Sequence, residues 1–312
     1  MSASSLTHAV IAGAGTMGAS LAQIFAQAGL RVTLWNRSQS GLDRAAALIR
    51  SNQAALVASG RLSAEDSGAL MARIVPTTED ACFQTAGFVL ESIAEDLTLK
   101  QDFFRRISAL VPADCVLTTN SSGLSISAIG SAVENPGRFC GMHWINPPHL
   151  VPLVEVIQGE ATGSETMDFV YDLAQRLGKK PIRAKDLPGF IMNRLQLALL
   201  REALALVDSG AATAEDVDAA VKYGLGLRYA CVGPFETMDL GGVDIFCRIA
   251  SYLLADLDNR KDTPPLLQSL VDQGACGVKS GRGFYDYSGE KASAAIENRD
   301  RKFIRVLDAL EL

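Results

Sequence analysis

Gly13-x-Gly15-x-x-Gly18 is the first stretch of this 312-residue chain whose residue types and spacing can do chemistry. It follows a short apolar run, residues 8–12, and opens a stretch rich in helix formers, residues 19–28, which Gly29 closes. A strand, a glycine turn and a helix in that order make a cradle for phosphate. The glycines allow a tight turn and close backbone approach to a pyrophosphate, and the helix start offers free N–H groups and a positive dipole end. Thr16 and Met17 lie inside this turn. A second strand, residues 31–35, leads to Asn36-Arg37-Ser38. A carboxylate usually stands at that point to hold the adenosine ribose of NAD. An amide does not repel a 2′-phosphate and a guanidinium pairs with one, so the residues favour NADP over NAD. The other reading keeps NAD, with Asn36 on the 2′-hydroxyl and Arg37 stacked on adenine.

Three further segments carry polar groups in apolar surroundings. They are Thr119-Asn120-Ser121-Ser122-Gly123, then Gly141-Met142-His143-Trp144-Ile145-Asn146-Pro147-Pro148 with Pro152-Leu153-Val154-Glu155-Val156, and Asp186-Leu187-Pro188-Gly189-Phe190-Ile191-Met192-Asn193-Arg194. If Glu155 lies on a strand, Val154 and Val156 point to the opposite face. A carboxylate in so apolar a run requires a partner. Together with the glycine turn, these segments resemble the 3-hydroxyacyl-CoA dehydrogenase family, from about residue 8 to Tyr287. The resemblance implies that His143 is the general acid/base and that Glu155 bonds its other ring nitrogen. It implies that Ser122 and Asn193 hold the substrate oxygen, and that Glu95, Lys100, Asn120 and Asn146 contact the cofactor. The chemistry agrees. Alcohol oxidation needs a base that titrates near pH 7, a carboxylate keeps such an imidazole oriented, and hydroxyl and amide groups preorganise the reacting oxygen. His8 starts the first strand and reads as structural, and His149 falls on a loop.

Two departures bear on the substrate. Members acting on coenzyme A thioesters carry a lysine-rich helical segment after the second strand. Residues 51–73 here hold no lysine and only Arg61 and Arg73 as bases. Gly224-Leu225-Gly226-Leu227-Arg228-Tyr229-Ala230, ahead of Gly233-Pro234-Phe235-Glu236, is similar to the family's free-acid branch. That branch includes L-gulonate 3-dehydrogenase (lambda-crystallin), carnitine dehydrogenase and pyridine-carboxylate dehydrogenase. Arg228 is the candidate for a substrate carboxylate, which its planar fork matches. The expected reaction is hydride transfer between nicotinamide and a small 3-hydroxy or 3-keto acid. A thioester dehydrogenase, and a crystallin-like protein that binds cofactor without catalysis, are the alternatives.

The elements that must position these groups are legible. Apolar runs at residues 88–91, 115–118 and 139–143 alternate with helical stretches such as 97–110, which implies a doubly wound, mostly parallel α/β Rossmann sheet. After Asp186-Leu187-Pro188-Gly189 strand signals nearly vanish, and helical patterns run over 190–209, 214–223, 244–257 and 265–272. Residues 1–186 are therefore read as the dinucleotide-binding domain and 187–312 as an all-helical substrate and dimerisation domain. The apolar stripe Leu195, Leu199, Ala203, Leu206, Val207 fits either a core or a homodimer face. A net charge of −6 argues against nucleic acid and anionic membrane as partners. The six cysteines have no metal-ligand spacing and there are three histidines, so no metal is expected. The N-terminus lacks a signal-peptide pattern and no apolar stretch is long enough to span a membrane, so the expected location is the cytoplasm.

Overall fold

The computed structural model describes residues 2–58, 60 and 62–311. Among these, the chain divides into two compact units, Met1–Arg194 and Leu195–Leu312. The first is built on one eight-stranded sheet in the order β3-β2-β1-β4-β5-β6-β7-β8. The strands are β1 (His8–Ala12), β2 (Arg31–Trp35), β3 (Ile74–Thr77), β4 (Phe88–Glu91), β5 (Val116–Thr119), β6 (Phe139–Trp144), β7 (Leu153–Gln158) and β8 (Lys180–Lys185). Its helices are α1 (Thr16–Gln27), α2 (Gln39–Ala58), α3 (Ala64–Ala72), α4 (Leu97–Ser108), α5 (Ile126–Gly130) and α6 (Ser164–Arg176), and α7 (Met192–Asp208) starts at its end.

β1 through β6 run parallel, β6 and β7 pair antiparallel, and β7 and β8 are parallel to each other. β1, β4, β5 and β6 are buried throughout, as strands covered by helices on both faces must be. Two apolar clusters, one on each face, pack the sheet: Phe25, Phe88 and Trp144 belong to one, Phe103, Phe104 and Phe139 to the other. β1 pairs with β2 on one side and β4 on the other. The chain order reverses between β1 and β4, and the carboxyl edge there is where such sheets bind ligands.

The sequence gives little sign of β3 and β8. β3 is a half-exposed edge strand containing Pro76, and β8 has charged residues at its ends. The charged ends and Pro181 hide β8 from an apolar-run reading, yet all six of its residues pair with β7.

The second unit carries the rest of α7 with α8 (Ala214–Ala220), α9 (Leu227–Cys231), α10 (Pro234–Gly241), α11 (Val243–Leu253), α12 (Pro265–Asp272) and α13 (Lys291–Ala309). Thr213 caps α8, its hydroxyl accepting from the Asp216 N–H at 3.1 Å. The helical reading of 214–223 is corrected in one respect: between α8 and α9 the chain forms a wide π turn, Val221–Gly226. Gly226 permits it, because a Cβ there would lie 2.9 Å from the Val221 carbonyl oxygen. Among the described residues of this unit only Thr237 and Ala275 are buried.

Candidate active site

The glycine turn follows β1 directly. Gly13 has φ +117, and a Cβ on it would sit 2.3 Å from the carbonyl oxygen of Ser92, in the loop after β4. The two loops at the reversal of strand order thus touch, and only glycine fits between them. At Gly18 a Cβ would lie 1.8 Å from Gly13 O, so this glycine seats α1 against the turn. Gly15 instead faces open space and is the N-cap of α1, with no side-chain cap to occupy the first N–H groups. A free helix start under an open glycine is the arrangement that takes a pyrophosphate.

A cavity of about 950 Å³ opens above it. Of the residues expected at the cofactor, Gly13, Gly15, Thr16, Met17, Asn36, Arg37, Glu95 and Asn120 line it. Sequence reading missed Trp35, Phe103 and Arg106, which also line it; Arg106 lies over the Trp35 ring, 5.4 Å from its centroid, and pairs with Asp80. Asn36 Nδ2 donates to Ser38 O at 3.0 Å and Ser38 Oγ at 3.2 Å, and its Oδ1 accepts from the Ala14 N–H of the glycine turn at 3.4 Å. Ser38 therefore shapes the turn into α2. Arg37 is exposed and joins no ion pair among the described residues.

Lys100 departs from its expected position. Its side chain is 1% exposed and its ammonium is held by Glu91 Oε1 at 2.7 Å and Glu95 Oε2 at 3.4 Å. Glu91, which sequence reading also missed, is fully buried and further accepts from Thr119 Oγ1 (2.6 Å) and Ile93 N (2.7 Å). Burial pushes its carboxyl up, and Lys100, Thr119 and Ile93 pull against that. The available signal was an acid ending an apolar strand. Glu95 Oε1 accepts from Ser121 Oγ, Ser122 N and Gly123 N at 2.5, 2.9 and 3.1 Å. It thereby fixes the loop that carries Ser122.

His143 and Glu155 sit directly opposite each other in the β6–β7 pair. Directly opposed residues share a sheet face. Nδ1 of His143 lies 2.7 Å from Glu155 Oε2, and Nε2 lies 3.2 Å from Ser122 Oγ. A carboxylate only accepts, so Nδ1 carries the proton and Nε2 is left to take one. The other Glu155 oxygen accepts from the N–H groups of Ile191 and Met192, both at 3.0 Å. Burial raises the Glu155 carboxyl, but His143 and these two amides more than offset it and hold it below the usual carboxylate range.

The Glu155 amide donors come from a tight turn. Gly189 and Phe190 both occupy the left-handed region, at φ +77 and +50. For a phenylalanine that is strained, and such strain gathers at functional sites. Phe190 is 3% exposed with its ring 5.6 Å from the imidazole. Asp186 anchors the turn from behind, accepting from Ser125 Oγ, Ile126 N and Ser127 N at 2.7, 3.0 and 2.7 Å. Asn193 Nδ2 donates to the Ser122 carbonyl at 2.7 Å. Ser122, His143, Glu155 and Asn193 are thus one connected group.

The remaining candidates lie elsewhere. Asn146 is exposed and outside the cavity lining, on the loop after β6 with the exposed His149. Arg228 lies on α9 in the second unit, exposed and in no ion pair among the described residues. His8 is buried between Thr33 Oγ1 and the Thr85 carbonyl, a structural position. Arg61 lies outside the described residues.

Comparison with known proteins places this geometry. The family model for the 3-hydroxyacyl-CoA dehydrogenase NAD binding domain matches residues 8–187, and that for the C-terminal domain matches residues 189–287. A 5-formyl-3-hydroxy-2-methylpyridine 4-carboxylate 5-dehydrogenase of Mesorhizobium japonicum is 35% identical over 307 residues, covering 98% of this chain and 99% of its own. A solved structure of a dehydrogenase of that description, an NAD+-dependent dismutase, has a TM-score of 0.89 at 34% identity, covering 98% of this chain and 99% of its own. A 3-hydroxybutyryl-CoA dehydrogenase of Clostridioides difficile is 34% identical, covering 89% of this chain and 98% of its own. Among the described residues, no helix is long and apolar enough to cross a membrane. The chain belongs to the 3-hydroxyacyl-CoA dehydrogenase family of NAD-dependent enzymes acting on CH–OH groups, and it matches the family's free-acid branch.

Proposed function

We propose that the protein interconverts a small 3-hydroxy acid and its 3-keto acid, with His143 as general acid/base. The observation that carries this is the buried imidazole held between Glu155 Oε2 and Ser122 Oγ. In oxidation Nε2 takes the hydroxyl proton, Glu155 stabilises the imidazolium, and Ser122, fixed by Glu95 and Asn193, orients the oxygen. Bound NAD(P) supplies the acceptor for the hydride that leaves the carbinol carbon. In reduction the imidazolium returns the proton.

Two features support a free acid over a thioester. Residues 51–73 lack the lysines that coenzyme A phosphates would want, and Arg228 offers an unpaired guanidinium. The Mesorhizobium relative is named for a pyridine carboxylate, whereas the Clostridioides relative is named for a CoA thioester. Initial rates with 3-keto acids and acetoacetyl-CoA test the choice. Activity confined to the thioester would overturn it. Arg228→Ala should cost about 2 kcal/mol in kcat/KM on a carboxylate substrate, and an unchanged value would remove Arg228 from the site.

At the adenosine end, the lack of a β2 carboxylate and the exposed Arg37 support NADP, while the solved relative is described as NAD+-dependent. A kcat/KM for NADPH above that for NADH is expected; the reverse order would assign NAD. The helical unit is proposed to pair with a second copy. Leu195, Leu197, Phe235, Leu240 and Leu254 are each at least 60% exposed, and this apolar surface is what a second copy would cover. Light scattering that returned a monomer at micromolar concentration would contradict this.

A further inference from the structure

Glu91 closes β4 and is fully buried, and Lys100 of α4 is buried beside it. Glu91 Oε1 accepts from the Lys100 ammonium and from the Ile93 N–H, both at 2.7 Å, and Oε2 accepts from Thr119 Oγ1 at 2.6 Å. A buried carboxylate and ammonium fill space no better than apolar side chains of their size. They offset the cost of leaving water only through what their geometry holds. Here it holds the loop that carries Ser122.

Two routes lead from Glu91 to that loop. In the first, Glu91 lies beside Thr119 in the β4–β5 register, and Thr119 Oγ1, which donates to Glu91, accepts from the Ser121 N–H at 3.2 Å. In the second, the Lys100 ammonium also lies 3.4 Å from Glu95 Oε2, which turns Glu95 Oε1 toward its three donors, Ser121 Oγ, Ser122 N and Gly123 N. The Glu95 side chain is 43% exposed, so packing does not aim it, and Lys100 does. A buried ammonium needs a counter-charge, and Glu91 supplies it. Ser122 and Gly123 are themselves exposed, so hydrogen bonds and not apolar contacts place them. Both routes end at residues 121–123, and Ser122 Oγ then stands 3.2 Å from His143 Nε2.

We infer that Glu91 is a positioning residue for the reaction: through Thr119 on one side, and Lys100 and Glu95 on the other, it sets the Ser122 hydroxyl against Nε2 of His143. This rests on the reading of Ser122 and His143 above, and the relay itself can be tested without it. Glu91→Gln is measured in the wild-type chain and in Ser122→Ala, with the reduced cofactor and a 3-keto acid. Glu91→Gln combined with Lys100→Met strands no buried ammonium and stands in should the single variant fail to fold. Glu91→Gln should lower kcat/KM about 30-fold in the wild-type chain and less than about threefold in Ser122→Ala, because a misplaced hydroxyl and a missing one cost the reaction only once. An equal loss in both backgrounds, the signature of a merely structural residue, would overturn the proposal. The Ser122 and Gly123 amides should exchange with solvent about 10-fold faster in the variant, and unchanged exchange would overturn the relay. Faster exchange with unchanged kcat/KM would overturn its link to the reaction. A wild type that reduced neither a 3-keto acid nor acetoacetyl-CoA would overturn the catalytic reading and this link with it, while the exchange rates would still decide the relay.

Discussion

His143 does not act alone, and its neighbours say how it can be tested. Its Nδ1 is committed to Glu155, and Glu155 is committed in turn to two backbone amides. His143→Gln should lower kcat by about 10²- to 10⁴-fold with little change in NADH affinity, read by steady-state rates and fluorescence titration. Glu155→Gln should lower kcat by about 10²-fold, because the imidazolium loses its counter-charge. Both Glu155 and Asp186 have carboxyls held below their usual range in the folded state. For Asp186 burial works the other way and is outweighed by the Ser127, Ser125 and Ile126 donors. A depressed folded value means the stabilisation is present above the unfolded value and is lost as pH falls through the folded one. The melting temperature should therefore drop as pH falls below about 4, the unfolded carboxyl range. Glu155→Gln should flatten that drop. An equally steep fall in the variant would show that the pair does not couple to folding.

The elements explain why these side chains meet and which of them a sequence can disclose. Gly13 is readable from its spacing because the close approach of the loops after β1 and β4 excludes every side chain there. Gly13→Ala should abolish NADH binding in titration and lower the melting temperature, since the new methyl group meets Ser92 O at 2.3 Å. An alanine variant with wild-type affinity would mean the two loops can part. Glu155 was readable from valines on either side of an acid, and the antiparallel register then sets it opposite His143. Lys100 was placed at the cofactor because its partner was invisible: Glu91 lies nine residues away on another element, and only the fold shows that it neutralises the ammonium. β8 stayed hidden because its strand character comes from pairing with β7, not from an apolar pattern. The π turn before Arg228 was hidden for a similar reason, since its residues read equally well as helix.

At the scale of the molecule the two units are built differently. Residues 2–194 enclose their own apolar clusters on both faces of a sheet, and they contain Ser122, His143, Glu155 and Asn193 together. The helical unit has caps and amphipathic helices, but among its described residues only Thr237 and Ala275 are buried within one chain. On the proposed pairing with a second copy, its order comes from mass action. For a pairing through this unit, the midpoint of its thermal unfolding should climb with protein concentration, by calorimetry from about 1 to 100 μM. A midpoint independent of concentration would mean that the helices are stable uncovered. Dilution consequently separates two properties that concentrated protein shows as one. Below the dissociation constant the helical half should fray while the glycine cradle stays folded on its own sheet. The protein would then go on binding nucleotide in the cradle while its turnover of a carboxylate substrate fell with the loss of Arg228.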